Sequence, residues 1–122
     1  MVHKILLIED EVDVVKVLSK RLGAAGFEVV SSSDAIGGTQ QAHRAKPNLI
    51  LLDLMLPAGG GITVLKNLAQ YPDTKDIPVI VITGMQDEQH KKQVMQMNIR
   101  GFIQKPYEFD SLLGEIKKIL LA

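Results

Sequence analysis

Short apolar runs alternate along this chain with longer stretches in which apolar residues recur at helical spacing. Ile5-Leu6-Leu7-Ile8, Phe27-Glu28-Val29-Val30, Leu49-Ile50-Leu51-Leu52, Val79-Ile80-Val81-Ile82 and Phe102-Ile103-Gln104 each read as a strand. Runs that are apolar at successive positions belong to strands covered on both faces. The alternation therefore predicts βαβ units and a parallel sheet with helices on either side.

Between these runs the helical signals differ in strength. Val14, Val15, Leu18 and Leu22 fall on one face, and Gly23 to Gly26 supply the stop before the second strand. The second helix, residues 34–44, carries Gly37 and Gly38. Each interior glycine costs about 0.5–1 kcal/mol relative to alanine, so this helix is expected to be weak. A third follows the loop Pro57-Ala58-Gly59-Gly60-Gly61, using Ile62, Leu65, Leu68 and Ala69, and ends before Pro72. The fourth, residues 87–97, has only Val94, Met95 and Met97 as large apolar residues and is expected to be loosely anchored. Phe109, Leu112, Leu113, Ile116, Ile119 and Leu120 form a continuous stripe, the clearest helix of the five.

A length of 122 residues and a hydrophobic content of 46% suit one domain, residues 1–122, with a substantial core. Repeats, linkers and low-complexity segments are absent from the sequence. Lys plus Arg and Asp plus Glu both number 14, and no basic stripe stands out, which argues against direct contact with nucleic acid or an anionic membrane. Without cysteine there is no disulfide, thiolate metal site or catalytic thiol, so any metal is held by oxygen or imidazole. The N-terminus passes within a few residues into a strand, and no apolar run is long enough to span a bilayer. The expectation is a soluble cytoplasmic protein.

The strand ends carry the chemistry. The first run leads into Glu9-Asp10, the third into Asp53, the fourth into Thr83 and the fifth into Lys105, whereas the second ends on no such group and suits a sheet edge. With right-handed crossovers, strand order 2-1-3-4-5 brings strands one and three together at the switch point, where ligand sites form beyond the carboxyl ends. Glu9, Asp10 and Asp53 would meet there. Three ionised carboxylates at close range require a cation, and Mg2+ suits all-oxygen coordination that includes carboxylates and phosphate oxygens. A lysine and a threonine at neighbouring strand ends complete the parts of a phosphoryl-transfer site.

Glu9-Asp10-Glu11, Asp53-Leu54-Met55-Leu56-Pro57, Thr83-Gly84 and Lys105-Pro106-Tyr107, at these spacings, resemble the receiver domain of bacterial two-component response regulators. The resemblance covers essentially the whole chain. It implies a flavodoxin-like (βα)5 three-layer sandwich in the α/β class, and a signalling switch that is a regulatory phosphoacceptor and not an enzyme. It makes Asp53 the acceptor of a phosphoryl group from a sensor histidine kinase or a histidine phosphotransfer protein. Asp10 and the backbone carbonyl of Met55 become Mg2+ ligands beside Asp53, with Glu9 acting through water. Thr83, the Gly84 amide and Lys105 would bind the phosphoryl oxygens, Thr83 and Phe102 would switch, and a downstream partner would read the surface of helix 4, strand 5 and helix 5. A cis peptide between Lys105 and Pro106 is also implied.

Three positions depart from the family pattern. Gly59-Gly60-Gly61 replaces a bulkier turn and suggests a flexible loop. Asn98-Ile99 replaces the usual Gly-Ala; Asn98 is expected to supply a left-handed helix cap, and Ile99 to add bulk beside the switch surface. Phe102 has no phenolic hydroxyl, so any switching rests on ring burial.

Competing readings are weaker. An aspartyl-phosphate hydrolase would want a second acid two residues after the nucleophile, where Met55 stands. A flavoprotein of similar fold would want a hydroxyl-rich loop where Glu9-Asp10-Glu11 stands. A receiver-like interaction module that is never phosphorylated has no need of Asp10, Asp53, Thr83 and Lys105 together. His3, His43 and His90 are scattered without ligand spacing and read as surface residues. Met85, Met95 and Met97 read as core filler or, less expectedly, as an adaptable docking surface.

Overall fold

The fully apolar runs form the middle of the sheet. β1 (Lys4–Ile8), β3 (Leu49–Asp53) and β4 (Val79–Thr83) lie between β2 (Glu28–Ser32) and β5 (Gly101–Gln104), in the order β2-β1-β3-β4-β5 with every pairing parallel. This is a computed structural model, and it describes residues 2–57, 60–84 and 88–121. The helices α1 (Val12–Ala24), α2 (Ala35–Ala45), α3 (Gly60–Ala69), α4 (Glu88–Met95) and α5 (Phe109–Leu120) follow the strands in turn. The expected α/β class, flavodoxin-like layering and strand order are all present, with β2 at an edge.

Because side chains alternate across a strand, the sheet feeds two cores. Leu6, Ile8, Ile50, Leu52, Val79 and Val81 face Ala35, Ala42, Val64, Leu65, Leu68 and Val94, from α2, α3 and α4. Ile5, Leu7, Leu49, Leu51, Ile80 and Ile82 face Leu18, Leu22, Leu112 and Ile116, from α1 and α5. Among the described residues, no helix is long and apolar enough to cross a membrane.

Several local expectations are corrected. One glycine of α2 has a packing role that the sequence did not show: Gly38 is buried, and a Cβ there would lie 2.8 Å from Ile8 Cδ1, so the absence of a side chain at Gly38 lets α2 close on β1. Asp34 caps this helix through a 2.7 Å bond from the Gly37 amide. Of the glycine run expected as a flexible loop, Gly60 and Gly61 are the first residues of α3 and Gly61 packs against backbone, while Gly59 lies outside the described residues. Asn98 provides no left-handed cap; among described non-glycine residues the positive φ belongs to Lys46, at 48° beyond α2. The chain instead leaves α4 through bonds from the Gln96 and Met97 amides to Lys92 and Val94, and Ile99 packs on the core with Met97. Only Val94 of α4 is buried, Met95 is exposed, and Asp87 and Met85 lie outside the described residues. The shallow anchoring expected of this helix is present.

Candidate functional site

Parallel strands in register deliver their ends to one edge of the sheet. Ile8 pairs with Leu52, so Glu9 and Asp53, each one residue further along, emerge side by side from β1 and β3. Both are buried, at 3% and 6% exposure, while Asp10 stands exposed next to them. One carboxylate oxygen from each of Glu9, Asp10 and Asp53 lies within 4.8 Å of the others.

Lys105 reaches back from the end of β5. Its Nζ donates to Asp53 Oδ2 at 3.0 Å and to Glu9 Oε1 at 3.1 Å. The other oxygens are held by backbone: the Met55 amide donates to Asp53 Oδ1 at 2.9 Å, and the Glu11 amide to Glu9 Oε2 at 3.1 Å. Every oxygen of the two buried carboxylates therefore has a donor, as burial requires. The Lys105 amide in turn donates to the Thr83 carbonyl at 2.9 Å, and the peptide from Lys105 to Pro106 is cis, as expected.

Electrostatics show a site short of positive charge. Burial pushes the Glu9 carboxyl up to about 6; the Glu11 amide opposes this, the Asp53 charge adds to it, and Lys105 offsets part. Burial pulls the Lys105 ammonium down, but its bonds and charge interactions with Asp53 and Glu9 outweigh that and raise it. Tyr107, on the flank of the site, is raised chiefly by its own burial. A single ammonium among three carboxylates leaves a negative cluster made wholly of oxygen donors. That donor set fits a hard divalent cation such as Mg2+.

Of the remaining residues singled out by sequence, Thr83 is fully buried at the end of β4 and Gly84 is exposed beside Lys105, where an added Cβ would lie 3.9 Å from Lys105 Cβ. Met55 turns its side chain to solvent, at 59% exposure, while its amide binds Asp53. Phe102 is half-buried on β5, with Lys91 Nζ 5.6 Å from its ring centroid. None of the histidines belongs to the acid cluster, and His3, His43 and His90, read as surface residues, are each partly buried. His43 nevertheless has unforeseen partners: its Nδ1 lies 2.7 Å from Asp73 Oδ2, and its ring meets Tyr71 edge-on at 4.9 Å. The amide donors of Glu11 and Met55 and the contact of Lys91 with the Phe102 ring leave no residue-type signal in the sequence, since they depend on the fold.

The sequence model of the family described as "Response regulator receiver domain" matches residues 5–117. This chain belongs to that family. It is 32% identical over 120 residues to the phosphate regulon transcriptional regulatory protein PhoB of Escherichia coli, covering 98% of this chain and 52% of that protein. The chain thus spans about half the length of the curated relatives it matches. A putative response regulator from Chloroflexus aurantiacus superposes with a TM-score of 0.91 at 28% identity, over 100% of both chains. The phosphorylated cyanobacterial phytochrome response regulator RcpA superposes with a TM-score of 0.83 at 27% identity, over 100% of this chain and 96% of that one. Receiver domains of response regulators are regulatory modules of two-component systems, in keeping with a phosphorylation-dependent switch.

Proposed function

We propose that Asp53 accepts a phosphoryl group from a phosphohistidine on a sensor histidine kinase or a histidine phosphotransfer protein, and that the modified chain presents a changed surface to a downstream partner. The observation that carries this reading is the buried Asp53 carboxylate, fixed by the Met55 amide on one oxygen and by Lys105 on the other. A carboxylate so oriented is a positioned nucleophile, and positioning with charge neutralisation is most of what phosphoryl transfer needs. An Asp53 oxygen forms the new bond to phosphorus, the phosphorus–nitrogen bond breaks, and its electron pair stays on the donor imidazole.

Asp10, Asp53 and the Met55 carbonyl would hold Mg2+, with Glu9 acting through water. When bound, the cation neutralises charge on the carboxylates and the incoming phosphoryl oxygens. Lys105 then exchanges its carboxylate partners for a phosphoryl oxygen, while the Thr83 hydroxyl and Gly84 amide supply donors on the neighbouring strand end. Movement of Thr83 toward the phosphoryl group and of the Phe102 ring inward carries the change to α4, β5 and α5. The structure of RcpA in its phosphorylated form gives this chemistry a precedent in a relative of the same fold.

The balanced charge of the chain gives no basis for direct nucleic-acid contact by these residues, although the longer relative PhoB is named a transcriptional regulator. The switch would act in the cytoplasm, where phosphohistidine donors and ATP-dependent kinases work.

The test is incubation with acetyl phosphate and Mg2+, followed by intact-mass measurement. Wild type gains the mass of one phosphoryl group and Asp53→Asn gains none. Equal labelling of the two would reject Asp53 as acceptor. Hydrogen exchange from Gly84 to Lys105 changes on adding beryllofluoride as a phosphoryl mimic; unchanged exchange would reject the proposed output surface.

A further inference from the structure

We propose that Lys91 is a positioning residue that holds the Phe102 ring in the conformation of the unphosphorylated protein and thereby limits how readily the Asp53 site is loaded. This rests on the phosphoacceptor reading above.

Phe102 pairs in register with Val81, and Thr83 lies two residues beyond Val81 on the same strand. Neighbours in register point to the same face, and so do residues two apart, so Phe102 and Thr83 share one side of the sheet. Val81 and Phe102 both belong to the core beneath α2, α3 and α4. β5 is an edge strand, however, and the ring is only half-buried, leaving it room on the solvent side. Lys91, itself exposed, lies over the ring with Nζ 5.6 Å from its centroid.

That contact has more influence here than it would on a well-packed helix. α4 buries one residue, Val94, so the helix is shallowly anchored where Lys91 ties it to Phe102 of β5. An ammonium over an exposed aromatic face favours the conformer that makes the contact by about 2- to 5-fold. Carrying the ring inward toward Thr83 breaks it. With no phenolic hydroxyl at Phe102 to hold the ring at the surface by hydrogen bonding, the cation takes that role. Lys91 thus acts against the loaded state without touching the acids or the phosphoryl group.

The test is the affinity for beryllofluoride in the presence of saturating Mg2+, followed by NMR. Lys91→Gln should tighten binding about 2- to 5-fold, and Lys91→Arg, which keeps a cation over the ring, should match wild type. In the Phe102→Leu background, Lys91→Gln should have no effect. Unchanged affinity in Lys91→Gln, or the same gain with and without the Phe102 ring, would overturn the proposal. Asp53→Asn tests the underlying reading separately, because undiminished uptake of the mimic by that variant would reject the acceptor site. The Lys91 contact is then judged without any mimic: Lys91→Gln must shift the Phe102 ring proton resonances, and unshifted resonances overturn it.

Discussion

Lys105 Nζ sits 3.0 Å from Asp53 Oδ2, so an ammonium one residue beyond the edge strand β5 is bonded to a buried carboxylate supplied by β3, two strands away. The same nitrogen reaches Glu9. This lysine is a counter-ion for both buried carboxylates, and under the proposed function it would exchange them for an incoming phosphoryl oxygen. The two arrangements would exclude each other in time, as a switch requires.

Lys105→Met should therefore destabilise the metal-free protein. Losing charge-assisted bonds to two buried carboxylates costs about 1.5–3 kcal/mol, with the lower end favoured because Lys105 is itself partly exposed. The same change should strengthen Mg2+ binding, since the ammonium no longer competes for the acids. Asp10→Asn should weaken it. Urea denaturation and a Mg2+ titration check both signs, and equal Mg2+ affinity in Asp10→Asn and wild type would remove Asp10 from the ligand set.

The raised Glu9 carboxyl predicts a pH dependence. Its folded value of about 6 lies above the ordinary 4.5, so folding favours the protonated form. The stability contributed by that preference is fully present below about 4.5 and is lost as pH rises through about 6. Metal-free protein should lose unfolding free energy over that window through this group, and Glu9→Gln should flatten the loss. Mg2+ favours the ionised carboxylate, so its affinity should fall as pH drops below about 6. Denaturation curves at several pH values, with and without Mg2+, read both effects.

The strand ends were legible because each closes an apolar run, and a run can be seen without knowing what lies beside it. Ile8 announces Glu9, Leu52 announces Asp53, and Ile82 announces Thr83. The alternation of runs and helices sufficed for the topology. What escaped depends on distance in space: Gly61 looks like loop until the backbone of Leu54 is placed against it, and His43 is 30 residues from Asp73. Asn98 failed for a different reason. Its left-handed tendency is a preference of the isolated residue, and packing of Met97 and Ile99 on the core decided the turn instead.

The two close-packed glycines should respond differently to alanine. At Gly38 the nearest atoms belong to the Ile8 side chain, at 2.8 to 3.2 Å, which can shift. Overpacking offset by better helix propensity gives a net loss of about 1–2 kcal/mol for Gly38→Ala, with phosphorylation preserved. At Gly61 a Cβ would fall 2.6 Å from Leu54 Cα and 2.8 Å from the Asp53 carbonyl oxygen, both backbone atoms. Gly61→Ala must displace the segment that carries Asp53 and the Met55 amide. A misplacement of about 1 Å at a reacting group lowers rate by about 100-fold, so acetyl phosphate labelling should collapse in this variant while its circular dichroism stays native. Labelling at the wild-type rate would show that the helix yields and the acceptor does not.

The lifetime of the phosphoryl group should be long, because of the residue two positions beyond the acceptor. The Met55 amide is tied to Asp53 Oδ1, which keeps its side chain beside the proposed acceptor but turned to solvent, at 59% exposure. Hydrolysis of an acyl phosphate needs a water aligned with the phosphorus, and a thioether neither donates nor firmly accepts the bond that would align it. Met55→Asn places an amide where that water must stand, and should speed loss of the phosphoryl group by roughly tenfold, equivalent to about 1.4 kcal/mol of barrier. The backbone contact to Asp53 and the carbonyl proposed to hold Mg2+ are unaffected by the exchange, so labelling itself should continue. Met85, the corresponding position after Thr83, lies outside the described residues, and Met85→Ser added to Met55→Asn should increase the rate further. Decay is followed by intact mass after the phosphodonor is removed. If the double variant loses its phosphoryl group no faster than wild type, the two methionines do not govern access of water, and the lifetime is set by the donors that grip the phosphoryl oxygens.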